Sequence, residues 1–144
     1  MLVEGLYLLL KADSGVQTQL GTPGTRSDQN SGIFPVQAPE ECTMPYIVYQ
    51  QVGADQVISF AGVNRTQEAR FRFSCYATTY LGAKNLVKAL KNVMNGLLTT
   101  LPDSEATPVM GAWLETEDDG VESFTRGTIY ADYVDYRIWF TDKG

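Results

Sequence analysis

The sequence predicts an α+β fold: one domain over residues 1–144, ordered helix, strands, helix, strands, with a mainly antiparallel sheet packed against two helices. Three observations carry this reading. Ala69, Phe71, Phe73, Cys75 and Ala77 alternate strictly with Glu68, Arg70, Arg72, Ser74 and Tyr76, the period of a half-buried strand. Two segments, one at the amino terminus and one just after that run, space their apolar residues as amphipathic helices do. The chain has 144 residues, 44% hydrophobic and 19% charged, and a domain of about 150 residues buries roughly 68 to 70% of its unfolded surface. Such a core needs neither metal nor disulfide.

The first helix is predicted from about Leu2 to Ala12, because Leu2, Leu6, Leu9 and Leu10 share one face, and Asp13-Ser14-Gly15 stops it. Residues 16–32 hold one large aliphatic side chain, Leu20, with no periodicity, and read as a long polar loop. Loops of that length are either functional or flexible. Ile33-Phe34-Pro35-Val36 reads as a short edge strand, since Pro35 cannot donate to a central ladder. Tyr46 to Val52 is apolar on both faces and reads as a central strand. Gly53-Ala54-Asp55 is a turn signal, Gln56 to Ala61 a short return strand, and Gly62-Val63-Asn64 a second turn.

The arginine strand then runs from about Thr66 to Ala77. The second helix starts near Thr78 or Thr79, either of which can cap it. It places Ala83, Leu86, Val87, Leu90, Val93, Met94, Leu97 and Leu98 on one face, opposite Lys84, Lys88, Lys91 and Asn95. The helix dipole alone is a sufficient reason for those lysines. After Pro102-Asp103-Ser104, Pro108 to Glu117 reads as a strand and Asp118-Asp119-Gly120 as a tight turn. The last strand, about Ile129 to Thr141, has aromatic residues on both faces, which suits a sheet interior or a subunit interface.

Composition excludes much chemistry. The chain has no histidine and two cysteines, so Ser-His and Cys-His catalysis and four-ligand zinc patterns are absent. Cys75 lies on an apolar strand face and Cys42 in a polar stretch; nothing in the sequence brings them together, and two reduced thiols are expected. The net charge of −6 argues against sequence-reading nucleic-acid binding, which draws on clustered lysine and arginine. No run reaches the roughly 18 to 20 apolar residues that cross a bilayer, and the start lacks the basic residues and cleavage site of a signal peptide. A soluble protein without a membrane partner is expected.

Charge is the one candidate for a site. Glu115, Glu117, Asp118, Asp119 and Glu122 fall within eight positions. Asp118-Asp119-Gly120 looks like part of a calcium loop but lacks its alternating acids and closing glutamate. The alternatives are a solvated hairpin tip, a negative lumen or a subunit contact. Arg70 and Arg72, two residues apart on one strand face, are either a solvated surface or a stripe complementary to those acids. Gly21-Thr22-Pro23-Gly24-Thr25 lacks the flanking strand and helix of a phosphate loop, and no carboxylate pair marks a glycosidase. No catalytic, cofactor-binding or metal-binding residue is assigned, and an enzyme is not expected.

The order of features is similar to a known family. The helix ending in Leu10-Lys11-Ala12-Asp13-Ser14-Gly15-Val16, then Met44-Pro45-Tyr46-Ile47-Val48-Tyr49-Gln50, then Ala69 to Ala77 ending in Cys75-Tyr76-Ala77, the helix Ala83 to Leu98 and the final Asp135-Tyr136-Arg137-Ile138-Trp139-Phe140 together resemble the tail completion proteins of long-tailed bacteriophages and prophages. The stretch from Gln17 to Gln37 departs from the family pattern in length and polarity. The resemblance implies a structural subunit, assembled in the host cytoplasm, that forms a ring of six at the head-proximal end of the virion tail. Such a ring ends tube growth, meets the tail tube protein and the head connector proteins, and passes DNA through its lumen without reading it. A head-to-tail adaptor or another minor tail protein is the neighbouring alternative. From another class, a small ligand-binding α+β domain would place its pocket between the second helix and the last strand.

Overall fold

The computed structural model describes residues 2–20, 32–37, 44–59, 62–124 and 127–141, with side chains described outside 55–59, 62–65 and 122–124. Cys42 and most of the predicted long loop lie outside the described residues. The order is α1 (Leu2–Ala12), α2 (Ser14–Leu20), β1 (Ile33–Pro35), β2 (Tyr46–Ser59), β3 (Gly62–Ala77), α3 (Tyr80–Met94), β4 (Thr99–Thr100), β5 (Pro108–Phe124) and β6 (Gly127–Thr141). The strands form a six-stranded sheet in the order β1-β2-β3-β6-β5-β4. Every pairing is antiparallel except β1 with β2, so the α+β class holds with a mixed sheet.

The helices cover one face. Ala69, Phe71, Phe73 and Cys75 of β3 pair with Ile138, Tyr136, Val134 and Asp132 of β6. Opposite residues in a ladder share a face. The predicted inward set of β3 is therefore the observed one, and with Leu6, Leu10, Leu86, Leu90 and Met94 it forms the main core. A second cluster, Phe34, Tyr46 and Val48 with Met44 and Tyr76, lies on the other face beside β1. Burying Phe71 or Phe73 fully is worth roughly 1.5 to 3 kcal/mol each.

Helix α1 matches its prediction, and its close approach to the loop before β5 depends on Gly5. A Cβ there would sit 2.7 Å from Leu101 Cβ and Cδ1. Helix α2 corrects the expectation of a loop beginning at residue 16. Asp13 caps it: the backbone N–H of Val16 donates to Asp13 Oδ2 at 2.9 Å, and the N–H of Gln17 donates to Asp13 O. Val16 and Leu20, one helical turn apart, are both buried, which supplies the tertiary contact a seven-residue helix needs.

Three predicted turns lie inside strands. Gly53 belongs to β2, where Val52 is the extra residue of a bulge between the pairs Gln51–Phe71 and Gly53–Arg70. β2 runs on to Ser59 and β3 starts at Gly62, so Gly62-Val63-Asn64 opens a strand and is not the predicted turn. Likewise Asp118-Asp119-Gly120 lies in mid-β5, opposite Tyr133, Asp132 and Ala131 of β6. Gly120 is required there for packing, not turning, because a Cβ would meet Tyr133 Cε2 at 2.7 Å.

Helix α3 begins as predicted, with Thr79 Oγ1 accepting from the Gly82 N–H at 3.0 Å. It stops at Met94, earlier than the apolar pattern suggested. Asn95 leaves the helical conformation, and its side-chain oxygen accepts a hydrogen bond from Tyr136 Oη at 2.5 Å. Leu98, predicted on the buried face, is consequently exposed. The space between α3 and β6, where a ligand pocket was one alternative, is filled by the fully buried Leu86, Leu90, Met94, Val134 and Tyr136.

Candidate functional site

The acidic run of β5 is divided by the pleat. In a strand, successive side chains point to opposite faces. After the bulge that leaves Glu115 unpaired between Leu114–Tyr136 and Thr116–Asp135, the pairs Glu117–Val134 and Asp119–Asp132 fall on the helix side, and Asp118–Tyr133 on the other. What reads in sequence as one cluster is two, each meeting its own cations. The side chain of Glu122 lies outside the described residues, although its backbone pairs with Ile129.

On the helix side, Lys84 and Lys91 of α3 reach down to the sheet. Lys91 Nζ is 2.6 Å from Glu117 Oε2. Lys84 Nζ lies 2.5 Å from Asp119 Oδ1, 2.9 Å from Asp132 Oδ2 and 3.8 Å from Glu117 Oε1. Tyr80 Oη donates to Asp119 Oδ2 at 2.8 Å. These contacts give Lys84 and Lys91 partners on the sheet in addition to the helix dipole, which Lys91 meets in the last turn of α3. The hydrogen bond to Asp119 raises the Lys84 ammonium above its ordinary range, and the same bond lowers Asp119.

Asp132 is the unusual member. It is 1% exposed, and the Lys84 ammonium 2.9 Å from Oδ2 is the cation that holds it. Burial pushes its carboxyl up, and Lys84 offsets this only in part. Its neighbour across the ladder is Cys75, a buried free thiol pushed up by burial. Among the described residues no group of carboxylates and thiols is arranged to hold a metal ion; Lys84 takes the centre of this one.

The opposite face carries Arg70 and Arg72. Arg72 grips Asp135 with two bonds, Nε to Oδ1 at 2.9 Å and Nη2 to Oδ2 at 3.2 Å, which holds the Asp135 carboxyl below its usual range. Arg70 Nε is 3.9 Å from Glu115 Oε2. Arg137 bridges Glu115 at 2.9 Å and Glu68 at 3.1 Å, and Trp139 Nε1 donates to Glu68 at 2.8 Å. The result is a band of alternating charge across β3, β6 and β5. At one end stand Trp113 and Trp139, 43% and 38% exposed with ring centres 6.0 Å apart, beside the bulged and exposed Met110. A polar recess of about 310 Å³ opens beside Arg72, lined by Gln50, Ser74, Asp118, Tyr133 and Asp135.

Arg70, Arg72, Glu115 and Asp118 thus lie on one face, whereas Glu117 and Asp119 lie on the other. Sequence reasoning missed Asp132, Asp135 and Arg137, each of which needs a partner far along the chain. The signal was present in Asp132 and Asp135: charged residues in an otherwise apolar and aromatic strand. The arrangement is that of charge-paired surfaces with an exposed aromatic end, suited to contact with another macromolecule.

Residues 4–140 match the family model described as tail completion protein gp17. No curated protein matches the chain. Among solved structures the chain is similar to one in the virion of a native gene transfer agent particle, at 15% identity, with 95% of this chain and 92% of that chain covered and a TM-score of 0.66. That likeness shows a shared fold, and the match from residue 4 to residue 140 decides the family: the chain belongs to the tail completion protein gp17 family.

Proposed function

We propose that this chain is a subunit of a ring, of six copies, at the head-proximal end of a phage-type tail, where it ends growth of the tube and joins it to the head. Membership of the tail completion family makes it a structural protein of the virion tail, and the match across residues 4–140 is the observation that carries the reading. The resemblance of the neighbouring fold to a chain in a gene transfer agent virion supports it. Its partners in this role are its own copies, the tail tube protein and the head connector, with DNA passing through the lumen. No membrane is involved.

The surfaces suit the role. A closed ring uses two different patches of each subunit, and here the two sheet faces and two sheet edges differ in charge and shape. Arg70, Arg72, Glu115, Glu117, Asp118, Asp119 and Glu122 are assigned to subunit contacts or to the lumen wall. The acids already neutralised by Lys84 and Lys91 contribute least to a negative lumen.

The test is electron microscopy of particles assembled with and without the protein. Overlong tubes and unjoined heads are expected in its absence, and rings at tube ends in its presence. Tubes of normal length joined to heads without it would refute the proposal, and so would a strictly monomeric protein in the presence of tail tubes.

A further inference from the structure

Among the described residues the sheet leaves two long edges without a strand. β1 covers β2 only at Ile47, Val48 and Tyr49, and β4 covers β5 only at Pro108 and Val109. The Ala112 carbonyl is used by the Gly96 N–H. Among the described residues, no strand lies outside residues 50–59 of β2 or 113–124 of β5. A long bare edge is a template for another strand, and proteins normally shield it unless it is used.

Resting on the ring reading above, we infer that the subunits join edge to edge, with β5 of one copy pairing antiparallel with β2 of the next to make one continuous sheet. Direction supports this. β2, β3, β6 and β5 alternate up and down, so β5 runs opposite to β2. A second copy brought alongside by rotation about an axis parallel to the strands therefore offers β2 to β5 as an antiparallel partner, and the operation can repeat until the ring closes. The contact is heterologous, as closure requires.

Charge selects this pairing over the symmetric one. β5 carries Glu115, Glu117, Asp118 and Asp119 with no basic residue between 113 and 121; Lys84, Lys91, Arg70 and Arg137 on other elements offset part of this charge, and two β5 edges side by side would still set carboxylates, Asp118 foremost, against each other. The β2 edge is neutral over Gln50, Gln51, Val52, Gly53 and Ala54, and the strand behind it presents Arg70 and Arg72. The covered portions lie toward opposite ends of the sheet: β1 sits level with Cys75, β4 level with Phe140. The copies consequently meet staggered along the strands, which is the shear a closed, tilted sheet carries.

Gln51 and Ala54 are exposed, and both pair with residues whose side chains face the helix side. Gln51→Glu with Ala54→Glu places two new carboxylates against the acidic edge; Gln51→Lys with Ala54→Lys places two cations there. Ring formation by the acidic variant is expected to need about tenfold or more higher protein concentration than wild type, and by the basic variant no more than wild type. Hydrogen exchange is read on wild-type rings and on the dilute single subunit. Ring formation is expected to slow exchange in residues 50–54 and 113–121. If wild-type rings form while both charge variants assemble alike, or while neither edge gains protection, edge pairing is overturned and the ring stands. If wild-type protein forms no ring on tail tubes, the ring reading itself fails.

Discussion

Replacing Lys84 with methionine isolates the charge of Asp132, the most deeply buried carboxylate among the described residues. Lys84→Met keeps the length and apolar stem of the side chain but removes the cation 2.9 Å from Asp132, which is 1% exposed and has no other ion-pair partner among the described residues. Breaking a buried ion pair by removing one member costs about 3 to 5 kcal/mol, because a charge is left unpaired in low dielectric. The Lys84 side chain is 33% exposed, so water screens part of the interaction, and about 2 to 3 kcal/mol is expected at pH 7. For a chain of this size that corresponds to a fall in melting temperature of roughly 5 to 12 °C.

The pH dependence gives the sharper check. Burial already raises the folded pKa of Asp132, and in the variant the nearby Glu117 and Asp119 raise it further without opposition from Lys84. A carboxyl with a raised folded pKa contributes stability that is fully present below its unfolded pKa, about 3.9, and is lost as pH rises through the folded value. The Lys84→Met deficit is therefore small near pH 4 and grows toward neutrality. Urea unfolding at pH 4 and pH 7, on wild type, Lys84→Met, Asp132→Asn and the double variant, measures both effects. In the double variant, Asp132→Asn should return at least about 1 kcal/mol of the loss, since no buried charge remains at that position. A deficit of the same size at both pH values, or strictly additive single effects, would refute the account.

Three further outcomes are expected. Gly5→Ala should lower stability by about 1 to 2 kcal/mol in thermal unfolding despite the better helix propensity of alanine, because the new methyl meets Leu101 Cβ at 2.7 Å; a stabilised variant would show that the helix can shift at no cost. Tyr136→Phe should cost about 1 kcal/mol by removing the bond to Asn95 that ends α3, and amide exchange in the last turn of the helix should rise with it. Asp135, held low by Arg72, contributes stability above its unfolded pKa that disappears as pH falls through the folded value. The gap between wild type and Asp135→Asn, up to about 1 kcal/mol at neutral pH, should close toward pH 2 in melting experiments; a constant gap would contradict it.

The sequence by itself determined the features that are local along the chain. The alternation from Ala69 to Ala77 needs only the period of a strand, and the inward set it named is the buried set observed. Thr79 as the cap of α3, the short edge strand with Pro35, and the aromatic β6 followed from neighbours within a few residues. The ordered resemblance over nearly the whole chain pointed to the family that the match over residues 4–140 establishes. Local signals misled where the decisive contact was distant: Gly53 and Asp118-Asp119-Gly120 carry turn chemistry, yet ladder pairing with β3 and β6 outweighs a weak turn preference. Asp13 reads as a helix stop after Ala12, but it restarts the chain as the cap of α2 once Val16 and Leu20 can be buried.

Only the tertiary structure decided how the charges are used. The bulge at Glu115 sets which acids of β5 face Lys84 and which face the arginines, and a one-residue change of register would exchange the two sets. The pairing of Arg72 with Asp135, 63 positions away, and of Lys84 with Asp132 depends on strand order, which composition and periodicity do not encode. Among the described residues the same strand order leaves most of β2 and of β5 without an outer strand and oppositely directed, a property of the assembled sheet and not of either strand.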